Sequence, residues 1–465
     1  MSLPNQIPSS TQASLSNESP IAARPFHSLS QAYQTYMEDD HEEHNHFEDV
    51  CRAYRQYATF AMQQWVNSQY RLHSLPEAQR NLLPAGLRQE TNEFQERANA
   101  YKDAAIRNQF CLDCILRHAG QPHSQQMTQQ QFSTDAQMSK VSSVLKSLAR
   151  DWSSEGKVER DMAYAPLLKM VQKYLPLNNR SLRLCVPGAG VGRLACELTA
   201  SGYAVQGNEF SLHMLLASDY ILNGPLQPST PLAISPYLLE SRNVHSVDDP
   251  VRVVHIPDVD PFEMIMKNGG DDSHPPLRNL NDEMQTDNPS SETEKRRKVN
   301  EIEDESSPES STGFSMAAGD FVSIYSDDRE AGQWDGVVAC FFLDASPNVV
   351  EYLLVIYRML KPGGLLFNFG PLLWHWSGPA MRPDDQTVDD YHQRLNHLDS
   401  KYLTSIDLSL DDMIEILKNI GFEIIESSCG HPALYTSDRR SMVSLQYRCT
   451  RFVARKPKLP PQALK

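Results

Sequence analysis

The chain has no apolar run near the roughly 20 residues needed to span a bilayer, so its 465 residues carry no expected membrane-spanning helix. It is short of positive charge, with 43 Lys and Arg against 59 Asp and Glu and a net charge of −16. No broad basic field is available to hold a phosphate backbone, and general nucleic-acid binding is disfavoured. Its eight cysteines lack zinc spacing. Cys111-Leu-Asp-Cys114 is the one CxxC in the sequence, has no second pair, and reads as helix packing. No metal site is expected. No signal peptide is visible, and the scattered cysteines fit a reducing, cytoplasmic compartment. The mean hydropathy of −0.49 implies solvated segments beside a core.

One more absence is informative. Leu182–Val186 reads as a strand running into a glycine-rich turn, Gly188-Ala-Gly190-Val-Gly192, then a helix (Val191–Ser201) and a second strand (Tyr203–Gly207) ending at Glu209. The dinucleotide fingerprint requires a third glycine where this chain has Arg193. The pattern therefore argues against NAD and suits S-adenosylmethionine, which has no pyrophosphate to cradle. Gly188 and Gly190 let backbone approach a ligand, and Glu209 is placed to take ribose hydroxyls.

Composition divides the rest. Residues 1–40 form a Ser-, Pro-, Gln- and Asn-rich tail expected to be disordered, and 41–137 a helical region with its linker. Residues 138–267 and 313–457 are two globular parts, separated by an acidic insertion (268–312) also expected to be disordered, and 458–465 form a last tail. His41, His44 and His46 lie among acids but imply no ligand geometry, and read as a polar helix start. Phe47, Val50, Tyr54, Tyr57 and Met62 recur at helical spacing. This region is expected to act as a cap, a support or a homodimer contact. Lys295-Arg-Arg-Lys298 resembles a minimal nuclear-import patch, so nuclear localisation is a second expectation.

Val141–Tyr174 is helical with a break near Trp152–Gly156, and its charges fit either a solvated face or a segment folded over the cofactor. Arg252–Ile256 reads as the third strand. Later strands are Asp335–Phe342, Leu365–Phe369, Phe422–Glu426 and Leu445–Arg455, with helices at Val349–Leu360 and from a capping box at Ser409 to Gly421. Alternating strands and helices predict an α/β parallel sheet with helices on both faces. Ligands then bind beyond the carboxyl ends of the strands. The glycine loop, Glu209, the Cys340–Asp344 strand end and the Gly370–His375 loop all fall there.

The run from Asp335 through Leu360-Lys-Pro-Gly-Gly364 to Phe369 looks like the later half of a class I (Rossmann-like) methyltransferase domain. Val186–Ala195, Gln206–Glu209, Phe341–Asp344, Gly370–Leu373, Arg150–Ser153 and Pro257–Pro261 together resemble the carnosine N-methyltransferase family. The resemblance implies methyl transfer from S-adenosylmethionine to an imidazole nitrogen of carnosine, giving anserine, or of a related histidine-containing peptide. It places cofactor contacts at Arg150, Gly188, Gly190, Glu209, Asp320, Phe321, Cys340 and Tyr352. It places substrate contacts at Asp344, His375 and Tyr447, with Asp344 and His375 catalytic. Two departures stand out: Ser147 replaces a glutamine, and Leu445-Gln-Tyr447 keeps one tyrosine of a tyrosine-rich run. The alternatives are protein histidine as the main acceptor, or a non-catalytic subunit that binds a partner through the N-terminal helices.

Overall fold

A computed structural model describes residues 41–121, 132–177, 181–266, 313–378, 387–395, 401–435 and 438–458. The two expected disordered segments and the Lys295–Lys298 cluster lie outside these residues, as does most of the linker. Among the described residues no helix is long and apolar enough to cross a membrane.

The first helix, α1 (His41–His73), begins on the histidine-rich stretch, so those residues form its opening turns. Helix α2 (Asn92–His118) starts where the Thr91 hydroxyl accepts the Phe94 N–H, and it carries the CxxC with Cys111 buried. Helices α3 (Asp135–Trp152) and α4 (Lys157–Tyr174) are the broken helical run. A seven-stranded sheet follows in the order β5-β2-β1-β6-β7-β9-β8. Its strands are β1 (Arg183–Pro187), β2 (Ala204–Glu209), β5 (Phe314–Ala318), β6 (Trp334–Cys340), β7 (Leu360–Gly370), β8 (Glu423–Leu434) and β9 (Gln446–Arg455). β9 alone runs opposite to the other six strands. This is the class I methyltransferase sheet. Helix α5 (Arg193–Ala200) joins β1 to β2, and α6 (Leu212–Asn223) follows β2. Helix α7 (Val349–Met359) precedes β7, and α8 (Leu410–Ile420) has the expected Ser409–Asp412 capping box and left-handed Gly421.

One strand assignment changes. Only Val254–Ile256 of the expected third strand is extended (β4), and it pairs antiparallel with Leu232–Ile234 (β3) outside the main sheet. Val254 and Ile256 are buried and His255 is exposed. That alternation suits a half-covered hairpin rather than a central parallel strand. The position beside β2 belongs to β5, in register from Val205–Phe314 to Glu209–Ala318.

The N-terminal helices share the core of the sheet. Tyr54, Leu112, Ile115, Val144 and Leu148 pack in one cluster with Leu184, Val186 and Val205. Polar ties cross the same boundary. Tyr54 donates to the His213 carbonyl at 2.7 Å, and Asn108 exchanges bonds with the backbone of Ser235 at 2.7 and 2.8 Å. Leu112 is fully buried here. Leu112→Ala should cost about 2–5 kcal/mol. Urea unfolding followed by circular dichroism and by tryptophan fluorescence should show one coincident, shifted transition; two separate transitions would contradict a shared core.

Candidate active site

The glycine loop closes the end of β1. Gly188, Gly190 and Gly192 take φ of 64, 56 and 85°, a region that disfavours any side chain. A Cβ on Gly188 would also stand 2.9 Å from the Phe342 ring. Beside the loop β2 comes so close that a Cβ on Gly207 would lie 2.5 Å from the Met316 sulfur and 2.9 Å from Ala189. Local packing thus fixes both strand ends.

Glu209 binds the loop directly. Its Oε2 accepts the Gly190 N–H at 2.8 Å, and Oε1 accepts those of Phe210 and Ser211 at 3.0 and 2.8 Å. Burial pushes its carboxyl above the ordinary value, and the three N–H groups pull it back. Each carboxylate oxygen has two acceptor sites, so Oε2 keeps one for a hydroxyl.

Arg150, Gly188 and Cys340 line one cleft with Tyr164, Phe341 and Tyr435. Asp151 holds the Arg150 guanidinium by a two-bonded pair at 2.8 and 2.7 Å and accepts the Tyr164 hydroxyl at 2.9 Å. Burial works against the Arg150 charge, and Asp151, Tyr164 and Tyr435 together outweigh it. Burial pushes the Cys340 thiol well up, so it stays a neutral wall. The cleft is about 60 Å³, below the roughly 300 Å³ at which ligand sites begin. The Tyr435 ring, stacked on Phe341 at 4.8 Å and 5.1 Å under Arg150, takes up the space. A wider cavity of about 1170 Å³ between α1, α2 and residues 238–251 holds none of the expected site residues.

Asp320 caps the short helix Phe321–Tyr325, accepting the Ser323 N–H at 2.9 Å. Phe321 is buried against Tyr352 and Phe342, with ring centroids 5.4 and 5.3 Å away. These three expected cofactor residues therefore form a second group beyond β5 and β6. It meets the glycine loop through Phe342.

Asp344 lies just past β6 in the turn Leu343–Ala345 and is 2% exposed. Its Oδ2 accepts the Leu373 N–H at 3.0 Å, and its carbonyl accepts that of His375 at 3.0 Å. Burial pushes its carboxyl up, against the Leu373 bond and the nearby His375. Two indoles pin this loop: Trp374 donates to Leu408 and Trp376 to Ala345, each at 2.9 Å. The His375 side chain is left exposed. Tyr447 comes in from β9, 6.0 Å from the Phe341 ring and within electrostatic reach of Asp344. The structure thus gathers Asp344, His375 and Tyr447 around one strand end, next to the Arg150–Cys340 cleft.

The sequence reading missed Asp151, Tyr164, Phe341 and Tyr435 here. Phe341 had a signal: it sits in the Phe341–Asp344 motif and adopts φ 52°, rare for a bulky residue. A Cβ on Gly370 would lie 3.2 Å from the Phe341 backbone, so the glycine makes room for that turn. Tyr435 had no such signal.

A family model described as carnosine N-methyltransferase matches residues 127–273 and 283–458. The chain belongs to the carnosine N-methyltransferase family. A relative of that name from Mus musculus is 31% identical over 432 residues, spanning 91% of this chain and 89% of its own. Another from Schizosaccharomyces pombe is 30% identical over 427 residues, covering 90% and 98% of the two chains. Family membership and the sheet together make the protein an enzyme that transfers methyl groups.

Proposed function

We propose that the enzyme moves a methyl group from S-adenosylmethionine to an imidazole nitrogen of carnosine or a related histidine-containing peptide. The observation that carries this reading is Asp344: a carboxylate 2% exposed, fixed by the Leu373 N–H, at the end of a central strand. The names of the family and its relatives support the acceptor.

The polar groups of the cradle suit the chemistry of the methyl donor, which enters the cleft as the Tyr435 ring moves aside. Backbone is open at Gly188 and Gly190, Glu209 offers a free acceptor site for ribose, and Arg150 offers a cation for a carboxylate. When bound, S-adenosylmethionine supplies an electrophilic methyl on a sulfonium. The chain's own work is orientation. A neutral imidazole already has one lone-pair nitrogen, so no strong base is needed. Asp344 would accept the N–H of the other ring nitrogen, aim the lone pair at the methyl, and stabilise the imidazolium as its charge grows. His375 and Tyr447 would hold the ring or the substrate carboxylate.

A second reading, with histidine in a longer polypeptide as the main acceptor, has one observation in its favour. Met442, Val443 and Leu445 are 64, 51 and 52% exposed just before Tyr447, a surface that suits apolar neighbours of a histidine. Rates with carnosine and with histidine peptides carrying apolar flanks separate the two. With carnosine, turnover should rise with pH through about 6.5 as the substrate imidazole loses its proton, then level off. A rate independent of pH between 5 and 8 would contradict a neutral imidazole nucleophile.

A further inference from the structure

The Pro257–Pro261 stretch has no part in the mechanism above, yet it carries a part-buried carboxylate, Asp258, that joins two buried arginines near the cleft. Asp258 Oδ2 accepts from Arg160 Nη2 at 2.7 Å and Oδ1 accepts from Arg193 Nη1 at 2.7 Å. The side chains are 13, 5 and 8% exposed for Asp258, Arg160 and Arg193. Both arginines have further work. Arg160 Nη1 donates to the carbonyls of Arg150 and Ser153 at 2.6 and 2.8 Å, and Arg193 Nη1 to that of Asp151 at 3.1 Å. The Asp258 N–H takes the fourth carbonyl, that of Trp152, at 2.9 Å.

These four carbonyls belong to the last residues of α3 and its cap. A helix end leaves such groups without intrahelical partners, and it favours cations there. Ser153, the cap residue, is extended at φ −125°, so the left-handed turn that usually satisfies them is missing. Two arginines take its place, and Asp258 sets where both stand. The Trp152 indole adds a tie to the glycine loop by donating to the Val191 carbonyl at 2.9 Å, and the Arg193 guanidinium lies 4.9 Å over that ring. The residue this clamp fixes is Arg150, whose Nη2 stands 4.0 Å from where a Cβ on Gly190 would be.

We infer that Asp258 is a positioning residue for the methyl donor: through Arg160 and Arg193 it locks the end of α3, and so fixes the Arg150 guanidinium against the glycine loop. This rests on the reading of the Arg150–Cys340 cleft as the donor site. Arg193 thereby gains a role: where a dinucleotide site has glycine, this chain places a cation that draws the Trp152 turn onto the loop.

The test is calorimetric binding of S-adenosylhomocysteine to the full chain, with KM measured for donor and acceptor. Asp258→Asn should weaken binding at least tenfold and raise the donor KM in parallel. The carnosine KM should change less than twofold and kcat at saturation less than threefold. Arg160→Lys keeps the charge balance but cannot span carboxylate and carbonyls together. It should weaken binding severalfold while melting near the wild type, and it carries the test if Asp258→Asn does not fold. Unchanged binding in a folded variant, or losses shared equally by donor and acceptor KM, would overturn the inference. A wild-type chain that bound no S-adenosylhomocysteine would instead overturn the reading of the cleft.

Discussion

Asp344→Asn should lower turnover on the order of 10²–10³-fold, the scale for removing one group that stabilises charge in a transition state. The asparagine oxygen can still accept the Leu373 N–H, so the loop should stay in place. It cannot offset the positive charge growing on the imidazole. Donor affinity should stay within about twofold, since no donor contact is assigned to Asp344. The same substitution makes a stability prediction. Burial raises the Asp344 carboxyl in the folded chain above its ordinary value. A raised acid favours folding while protonated, below the ordinary carboxylate range, and that contribution is lost as pH rises through the folded value. At neutral pH the ionised group is therefore a cost to the fold. Asp344→Asn should melt at or above the wild-type temperature at pH 7, with the advantage vanishing toward pH 4. A variant with full turnover, or one that melts well below wild type at pH 7, would contradict the assigned role.

Glu209→Ala should abolish measurable donor binding, weakening it on the order of 10²-fold or more. Two losses combine. The carboxylate no longer receives ribose hydroxyls, and hydrogen bonds to a charged group contribute about 1.5–3 kcal/mol each. The N–H groups of Gly190, Phe210 and Ser211 also lose their acceptor, so the loop itself loosens. Calorimetric titration with S-adenosylhomocysteine measures this directly. Binding within threefold of wild type would place the ribose elsewhere. Glu209→Gln keeps one acceptor oxygen, turns the other into an NH2 donor and removes the charge, so it should fall between the two.

The parts of this site that local spacing dictates were legible in the sequence. A strand, three glycines, a helix and a strand ending in an acid imply a ligand beyond β1 and β2, because strand periodicity and left-handed glycines are short-range properties. Arg193 in place of a third glycine was equally readable. The β5 strand was not. Phe314 is its one buried residue, so no alternation marks it, whereas Val254 and Ile256 alternate well but form a side hairpin. Tyr435 reaches the cleft only because β8 turns back beside β9, a pairing that its neighbours in sequence do not announce. Charge was the most ambiguous signal. In α4 Lys157 and Asp161 form an exposed pair one turn apart, while Glu159 and Arg160 between them are buried. That helix thus has one solvated face and one buried face, and only the fold separates them.

The central claim is that the transferred methyl ends on an imidazole nitrogen. The direct measurement is to incubate the chain with carnosine and isotope-labelled S-adenosylmethionine, then locate the label by tandem mass spectrometry. The account predicts one added methyl on the histidine ring, absent with Asp344→Ala and with a dipeptide in which the histidine is replaced by phenylalanine. Label on the β-alanyl amine or the carboxylate, or transfer that persists without the imidazole, would contradict it.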